Sequence, residues 1–169
     1  MEDLEIRTAV PTDLFVIEEL AKTIWREHYM PIIGSNQVEY MLANFQSVAV
    51  MQEQIDNGYN YYLMIYHGEP VGYLAIRKDA DAVFLSKIYV LKDYRGKGIA
   101  RKAMDFVVSE TILAGLGLIR LTVNKNNTMS ILAYEKMGFQ NIASVITKIG
   151  EGYIMDDFVM EKEIRTCDG

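Results

Sequence analysis

The stretch Arg95-Gly96-Lys97-Gly98-Ile99-Ala100 constrains this chain more than any other. An apolar, β-branched run from Ala82 to Leu91 precedes it, as a strand requires. After it, Ala100, Ala103, Val107 and Ala114 recur at helical spacing until Gly115 and Gly117 stop the helix. A short apolar run, Ile119 to Val123, then reads as a buried strand. The order strand, glycine turn, helix, strand is a crossover. At its centre, the unpaired N–H groups and the dipole of a helix start attract an anion. Gly96 and Gly98 keep side chains out of that approach, and Arg95 and Lys97 add charge. On spacing alone the turn reads equally as a phosphate cradle or as a plain strand-to-helix connection, because a lone G-x-G is weak.

Two phosphate motifs are disfavoured. The P-loop pattern G-x-x-x-x-G-K-[ST] is absent. A dinucleotide fold wants a third glycine where Arg101 stands, and an acid after the next strand, which here ends at Asn124. The charge balance narrows the partners further. A net charge of −6 offers no basic face to nucleic acid, and Lys97, Arg101 and Lys102 gather only around the glycines. No apolar run is long enough to span a bilayer, and the acidic start Met1-Glu2-Asp3-Leu4-Glu5 is unlike a signal peptide. Cys167, the only cysteine, sits in what reads as a fraying tail and permits no internal disulfide. A cytoplasmic protein with no membrane or nucleic-acid partner and no metal site is expected.

The 169 residues, half of them hydrophobic (50%), read as a single domain over 1–169 with its core at about 4–163. Glu5 to Val10 alternates as a first strand, and Pro11 suits the first position of a helix carrying Leu14, Ile17, Ala21 and Ile24. Pro31 and Gly34 break the chain. Ser35-Asn36 is a candidate cap for a second helix, and Val48 to Ile55 reads as a further helical stretch that ends near Asn57-Gly58. Asn60 to Tyr66 and Val71 to Arg77 form a hairpin about Gly68-Glu69. Asn127 to Met137 is helical, closed by Gly138, and Ile142 to Ile149 pairs with Tyr153 to Glu163.

A second motif lies downstream of the turn. In Asn127-Thr128-Met129-Ser130-Ile131-Leu132-Ala133-Tyr134-Glu135-Lys136-Met137-Gly138-Phe139, the residues Asn127, Tyr134, Gly138 and Phe139 fill an N-x-x-x-x-x-x-Y-x-x-x-G-F pattern. Arg95, Gly98 and Ala100 fill Q/R-x-x-G-x-G/A. Together, in this order and each after a strand, they closely resemble the GCN5-related N-acetyltransferase (GNAT) family, from about Ile6 to Glu163. The resemblance implies an α/β fold with one mixed, mostly antiparallel sheet of about six to seven strands, helices on both faces and a central splay at the cofactor site. It implies acetyl-CoA as cosubstrate. The pyrophosphate would lie on the N–H groups of Arg95, Gly96, Lys97, Gly98, Ile99 and Ala100, the pantetheine arm along Ile88-Tyr89-Val90, and Asn127 would contact the cofactor. A bulge in the strand before the turn can aim an N–H at the acetyl oxygen.

Acetyl would pass directly to an amine, with no covalent enzyme intermediate. Tyr134 is the candidate acid for the leaving thiolate, since a phenol is protonated at neutral pH. On periodicity alone it reads as a core aromatic; the family's tyrosine gives it the acid role. The base stays open. Many relatives carry a Glu near the strand before the turn, whereas Phe84-Leu85-Ser86-Lys87-Ile88 holds no carboxylate. A water chain, a backbone carbonyl, Glu27, His28, Asp156 or Asp157 could serve, though a solvated or structurally paired role is the commoner fate of such residues. Tyr29 joins Glu27, His28, Asp156 and Asp157 as a candidate wall for a cationic acceptor. The whole-chain pattern is similar to bacterial acetyltransferases of the polyamine type. That points to a small cationic amine as acceptor and, as in many relatives, to a homodimer. A non-catalytic acyl-CoA-binding sensor and a protein N-terminal or lysine acetyltransferase are the other readings.

Overall fold

The computed structural model describes residues 3–165. Met1 and Glu2 of the acidic start, and Cys167, lie outside the described residues. The chain runs β1 (Leu4–Thr8), α1 (Asp13–His28), α2 (Met30–Ile33), α3 (Ser35–Phe45), α4 (Val48–Asp56), β2 (Tyr59–Tyr66), β3 (Glu69–Lys78) and β4 (Val83–Val90). A 3₁₀ turn over Lys92–Tyr94 leads to α5 (Ile99–Leu113), β5 (Leu118–Asn124), α6 (Thr128–Lys136), β6 (Gln140–Gly150) and β7 (Tyr153–Glu163). One seven-stranded sheet has the order β1-β2-β3-β4-β5-β7-β6. Only β4 and β5 are parallel, as the crossover through α5 demands; every other pair is antiparallel.

Both faces of the central strands are covered, which is why β2 and β3 are apolar along most of their length. Tyr61, Leu63, Tyr73 and Ala75 pack against the α1–α4 side with Leu14, Ile17, Ile24 and Trp25. Their neighbours Tyr62, Met64, Leu74 and Ile76 face α5, with Ile99, Ala103 and Val107. The β6–β7 hairpin is held to α3 by two bonds from far apart in sequence. Tyr40 Oη donates to the Ile149 carbonyl at 2.6 Å, and Gln37 Nε2 to that of Ile154 at 2.8 Å. Among the described residues, no helix is long and apolar enough to cross a membrane.

Two helix starts differ from the sequence pattern. Helix α1 begins at Asp13, not at Pro11. The Asp13 carboxylate accepts from the Val10 N–H at 2.9 Å and takes the Arg7 guanidinium at 3.0 Å, which ties the helix start to the end of β1 and sets an acid in the first turn, where the dipole favours it. Ser35 is the first residue of α3 and makes no side-chain cap; Gly34, at φ 84°, redirects the chain out of α2. The break read at Pro31 is a single helical turn, α2, with the proline at its start.

Gly72 fixes the spacing of β3 and β4. A Cβ at this position would meet the Tyr89 carbonyl oxygen at 2.3 Å and the Val90 Cα at 3.2 Å. Gly72→Ala is therefore expected to destabilise the protein by roughly 1–3 kcal/mol, as overpacking does, measured by urea unfolding. A neutral result would mean that β4 can move away from β3 without cost.

Candidate active site

The site begins where two neighbouring strands part. β4 and β5 pair only at Val83–Ile119 and Phe84–Arg120. β4 stays on β3 up to Val90, while β5 stays on β7 along its whole length. From Leu85 onward, the β5-facing edge of β4 has no strand partner. A bulge lies at the parting. Ile76 pairs with Leu85 and Ala75 with Lys87, so Ser86 is an extra residue. Because side chains alternate, one extra residue exchanges the two faces. Val83 and Leu85 face α5 before the bulge, and Ile88 and Val90 face it after. Tyr89 is thereby turned to the α1–α4 side.

The opening holds two cavities that share Tyr29, Ile88, Tyr89 and Tyr134. The first, of about 230 Å³, lies between β4, α5 and α6, with His28, Val90, Arg95, Ala100 and Ser130 in its wall. The second, of about 90 Å³, lies on the β5–β7 side, bordered by Trp25, Gln37, Lys87, Asn127 and Asp157. A third hollow of about 220 Å³ sits at the glycine turn, against Val90, Arg95, Gly96, Gly98, Ile99 and Ala100. Arg95 borders both the hollow and the first cavity.

The turn depends on glycine for its backbone. Gly96 and Gly98 both have φ near 80°, a left-handed conformation costly to residues with a Cβ. Gly98 caps the fifteen-residue α5 with no side-chain acceptor, so the N–H groups of its first turn are available to an anion. The Arg95 guanidinium is steadied by a bond from Nε to the Val90 carbonyl at 3.1 Å.

Asn127 joins the two cavities. It is buried, its Oδ1 accepts from His28 Nε2 at 3.1 Å, and its Nδ2 reaches Tyr29 Oη at 3.5 Å. An amide oxygen can only accept, so the imidazole carries its proton on Nε2. Burial holds the His28 pKa below its ordinary value against the opposing Asn127 bond, and Arg95 lowers it further. Burial also raises the phenols of Tyr29, Tyr89 and Tyr134, keeping them protonated. Lys87 is 5% exposed and donates to the Phe45 carbonyl at 2.8 Å, to Gln54 Oε1 at 3.4 Å and to the Tyr61 hydroxyl. Burial lowers its pKa to about 7. Asp157 is 4% exposed, and burial, helped by Asp156, pushes its carboxyl up to about 6 against the pull of Lys125.

The structure gathers most of the residues singled out in the sequence. Ile88, Tyr89, Val90, Arg95, Ala100, His28, Tyr29 and Tyr134 border the first cavity. Gly96, Gly98 and Ile99 form the turn hollow, and Asn127 and Asp157 border the second cavity. Three residues lie elsewhere. Glu27 and Lys97 are exposed and border none of these volumes, and Asp156 turns to the Lys125 ammonium at 2.9 Å. Trp25 and Lys87 carried no mark in the sequence reading. The signal for Lys87 was there: apolar parity changes between Leu85 and Ile88, which places a bulge beside a lysine in a buried strand. Among the described residues, no group of three or more His, Cys, Asp or Glu gathers to hold a metal.

The sequence matches the Acetyltransferase (GNAT) family over residues 17–139. An uncharacterized N-acetyltransferase of Mycobacterium tuberculosis (strain ATCC 25618 / H37Rv) is 34% identical over 98 residues, which span 57% of this chain and 62% of that protein. In structure, the PaiA N-acetyltransferase from Thermoplasma acidophilum in complex with coenzyme A superposes with a TM-score of 0.80 at 21% identity, over 95% of this chain and 98% of that one. The spermidine N-acetyltransferase from Vibrio cholerae in complex with CoA and spermine superposes with a TM-score of 0.70 at 17% identity, over 96% of each chain. At these identities the superpositions show a shared fold.

The raised carboxyl of Asp157 has a consequence for stability. Its folded pKa of about 6 exceeds the ordinary 3.8, so its favourable contribution is complete below the lower value and lost as pH rises through the upper one. Asp157→Asn is expected to be more stable than the parent above pH 7, by at most about 3 kcal/mol, with the gap closing toward pH 4. Thermal melts of both proteins from pH 4 to 8 test this; a pH-independent gap would contradict it.

Proposed function

Because the chain belongs to the Acetyltransferase (GNAT) family, we propose that it is an acetyl-CoA-dependent N-acetyltransferase that acetylates a small cationic primary amine of the polyamine class, in the cytoplasm. The observation that carries this reading is the set of volumes about β4. An anion-accepting turn opens along Arg95 into an apolar cavity, which meets a second cavity across Tyr29, Tyr89 and Tyr134. A nucleotide pyrophosphate fits the first feature, a pantetheine arm the second and an amine the third. The unpaired edge of β4 beyond Leu85 offers amide and carbonyl groups that an arm with two amides of its own can satisfy.

Acetyl-CoA supplies an acetyl group already activated as a thioester. Gly96 and Gly98 hold the turn open, the first N–H groups of α5 and Arg95 take the negative charge, and β4 aligns the arm. Holding donor and amine in adjoining cavities supplies much of the rate. Tyr134 borders both cavities and stays protonated, so its phenol is the proton donor for the departing sulfur. Unpaired N–H groups at the Ser86 bulge are the donors for the acetyl oxygen as it gains charge.

The cationic acceptor is supported by the walls of the second cavity. Trp25, Tyr29 and Tyr89 present aromatic surface and Asp157 a carboxylate, while the Lys87 amine is held away by its three oxygen partners. The cavity of about 90 Å³ suits one amine and a short alkyl segment, with the rest of a longer molecule outside. The net charge of −6 favours the approach of such cations.

Thiol release from acetyl-CoA over a panel of spermidine, spermine, short alkylamines, peptides with free N-termini and lysine peptides tests the activity. Turnover is expected on the polyamines and alkylamines. Tight acetyl-CoA binding with no turnover on any amine would leave only an acyl-CoA-binding module. Tyr134→Phe is expected to lower kcat by about 10²-fold or more, with acetyl-CoA affinity unchanged. Gly98→Val is expected to lose acetyl-CoA binding in titration calorimetry; parental affinity in that variant would refute the pyrophosphate assignment.

A further inference from the structure

We propose that Asp157 is the group that receives the acceptor ammonium and removes its proton, filling the role of the carboxylate that the strand before the glycine turn does not carry. This inference rests on the acetyltransferase reading and assigns the step that reading leaves open.

The geometry singles out Asp157. It lies near the start of β7, opposite Asn124 of β5, where β5 has already parted from β4. Burial reaches 96% of its surface, yet among the described residues nothing bonds to its carboxylate: no hydrogen-bond partner and no ion pair within salt-bridge distance. Its oxygens open onto the cavity, so a cation entering there would be the partner that the fold itself does not supply. Its neighbour makes the contrast. Asp156, on the other face of the strand, has Lys125 at 2.9 Å. Asp157 points instead into the second cavity, and Asp157 is the one carboxylate bordering that cavity among the described residues.

The surroundings suit a base. Asp156 on its own strand repels negative charge, and Lys125 from the β5–α6 connection attracts it. Tyr29 from the junction of α1 and α2, Tyr89 and Lys87 from β4 and Tyr134 from α6 complete the cavity wall. Lys87 gives its protons to Phe45, Gln54 and Tyr61, so it does not neutralise the carboxylate. With its carboxyl raised to about 6, Asp157 is ionised at neutral pH yet a stronger base than an exposed aspartate.

The Asp157 carboxylate takes one proton from R–NH₃⁺ and frees the nitrogen lone pair. That pair forms the C–N bond to the acetyl carbon, and the C–S bond breaks with its electrons on sulfur. Tyr134 protonates the sulfur, and the second nitrogen proton restores the phenol. Asp157 releases its proton to solvent. In sum, R–NH₃⁺ and acetyl-CoA give the acetamide, CoA–SH and one H⁺, with no oxidant or reductant.

Asp157→Asn and Asp157→Glu in the full chain test this with spermidine and n-butylamine as probes. For the parent, kcat/KM for the amine is expected to rise through pH 6 and level off. In Asp157→Asn it should fall by about 10²-fold or more at pH 7 and climb with pH toward the pKa of the free amine. Acetyl-CoA affinity should stay unchanged and the melting temperature should not fall, which separates the loss from misfolding. Asp157→Glu should recover part of the rate and the levelled profile. If the parent acetylates an amine and the Asn variant keeps the same rate and profile, or loses acetyl-CoA affinity in step with rate, Asp157 is not the base and the acetyltransferase reading survives. If the parent acetylates no amine, that reading falls and the base assignment with it.

Discussion

The site depends on the early parting of two neighbouring strands. β5 lies beside β4 for two residue pairs and then diverges from it, carried by its other edge on β7, while β4 goes on with β3 alone. The two residue pairs that join β4 to β5 fix the hinge of the opening, and Ser86 sits immediately beyond it. The bulge turns Tyr89 and Lys87 to one face and Ile88 and Val90 to the other. The cavities, the phenols between them and the route from the glycine turn all follow from that parting.

Its electrostatics are arranged in sequence from one end to the other. At the turn, the α5 start and Arg95 present positive potential with few buried charges. In the middle, buried phenols hold their protons against ionisation. At the far end a single carboxylate faces the second cavity. Two further polar groups in this region are occupied structurally. Lys87 fastens β4 to the end of α3 and to α4 through oxygen acceptors, and His28 fastens α1 to Asn127 at the start of α6. The protein thus keeps positive charge near the turn, while the wall of the second cavity holds the Asp157 carboxylate beside the engaged Lys87 amine.

Much of this was legible in the sequence, and for a physical reason. The turn, its helix and the Asn127–Phe139 segment are contiguous, and their glycines and apolar spacing report local backbone geometry directly. Tyr134 and Asn127 were legible only through the pattern they share with a family, since spacing alone makes Tyr134 a core aromatic and singles out nothing at Asn127. The second cavity was much less so. Its walls come from α1, α2, α3, β4, β5, α6 and β7, and nothing local to Trp25 or Lys87 announces that β4 and β5 diverge. Asp156 and Asp157 looked equivalent as neighbours in sequence. Strand alternation separates them, one to Lys125 and one to the cavity, once the pairing of β7 with β5 is known.

The bonds from Tyr40 to Ile149 and from Gln37 to Ile154 also have a temporal meaning. The turn and most of the wall of the first cavity come from a continuous stretch of chain in its middle. The second cavity needs Asp157 and Met155 from the last hairpin and Trp25, Gln37 and Met41 from the first helices. During synthesis the turn and the first cavity can assemble while the final hairpin is still within the ribosome, whereas the second cavity must wait for the ends of the chain to meet. Contacts of such long sequence separation are the slow ones to form. The second cavity is therefore the last part of the opening to take shape, and the first that truncation of the final strand would remove.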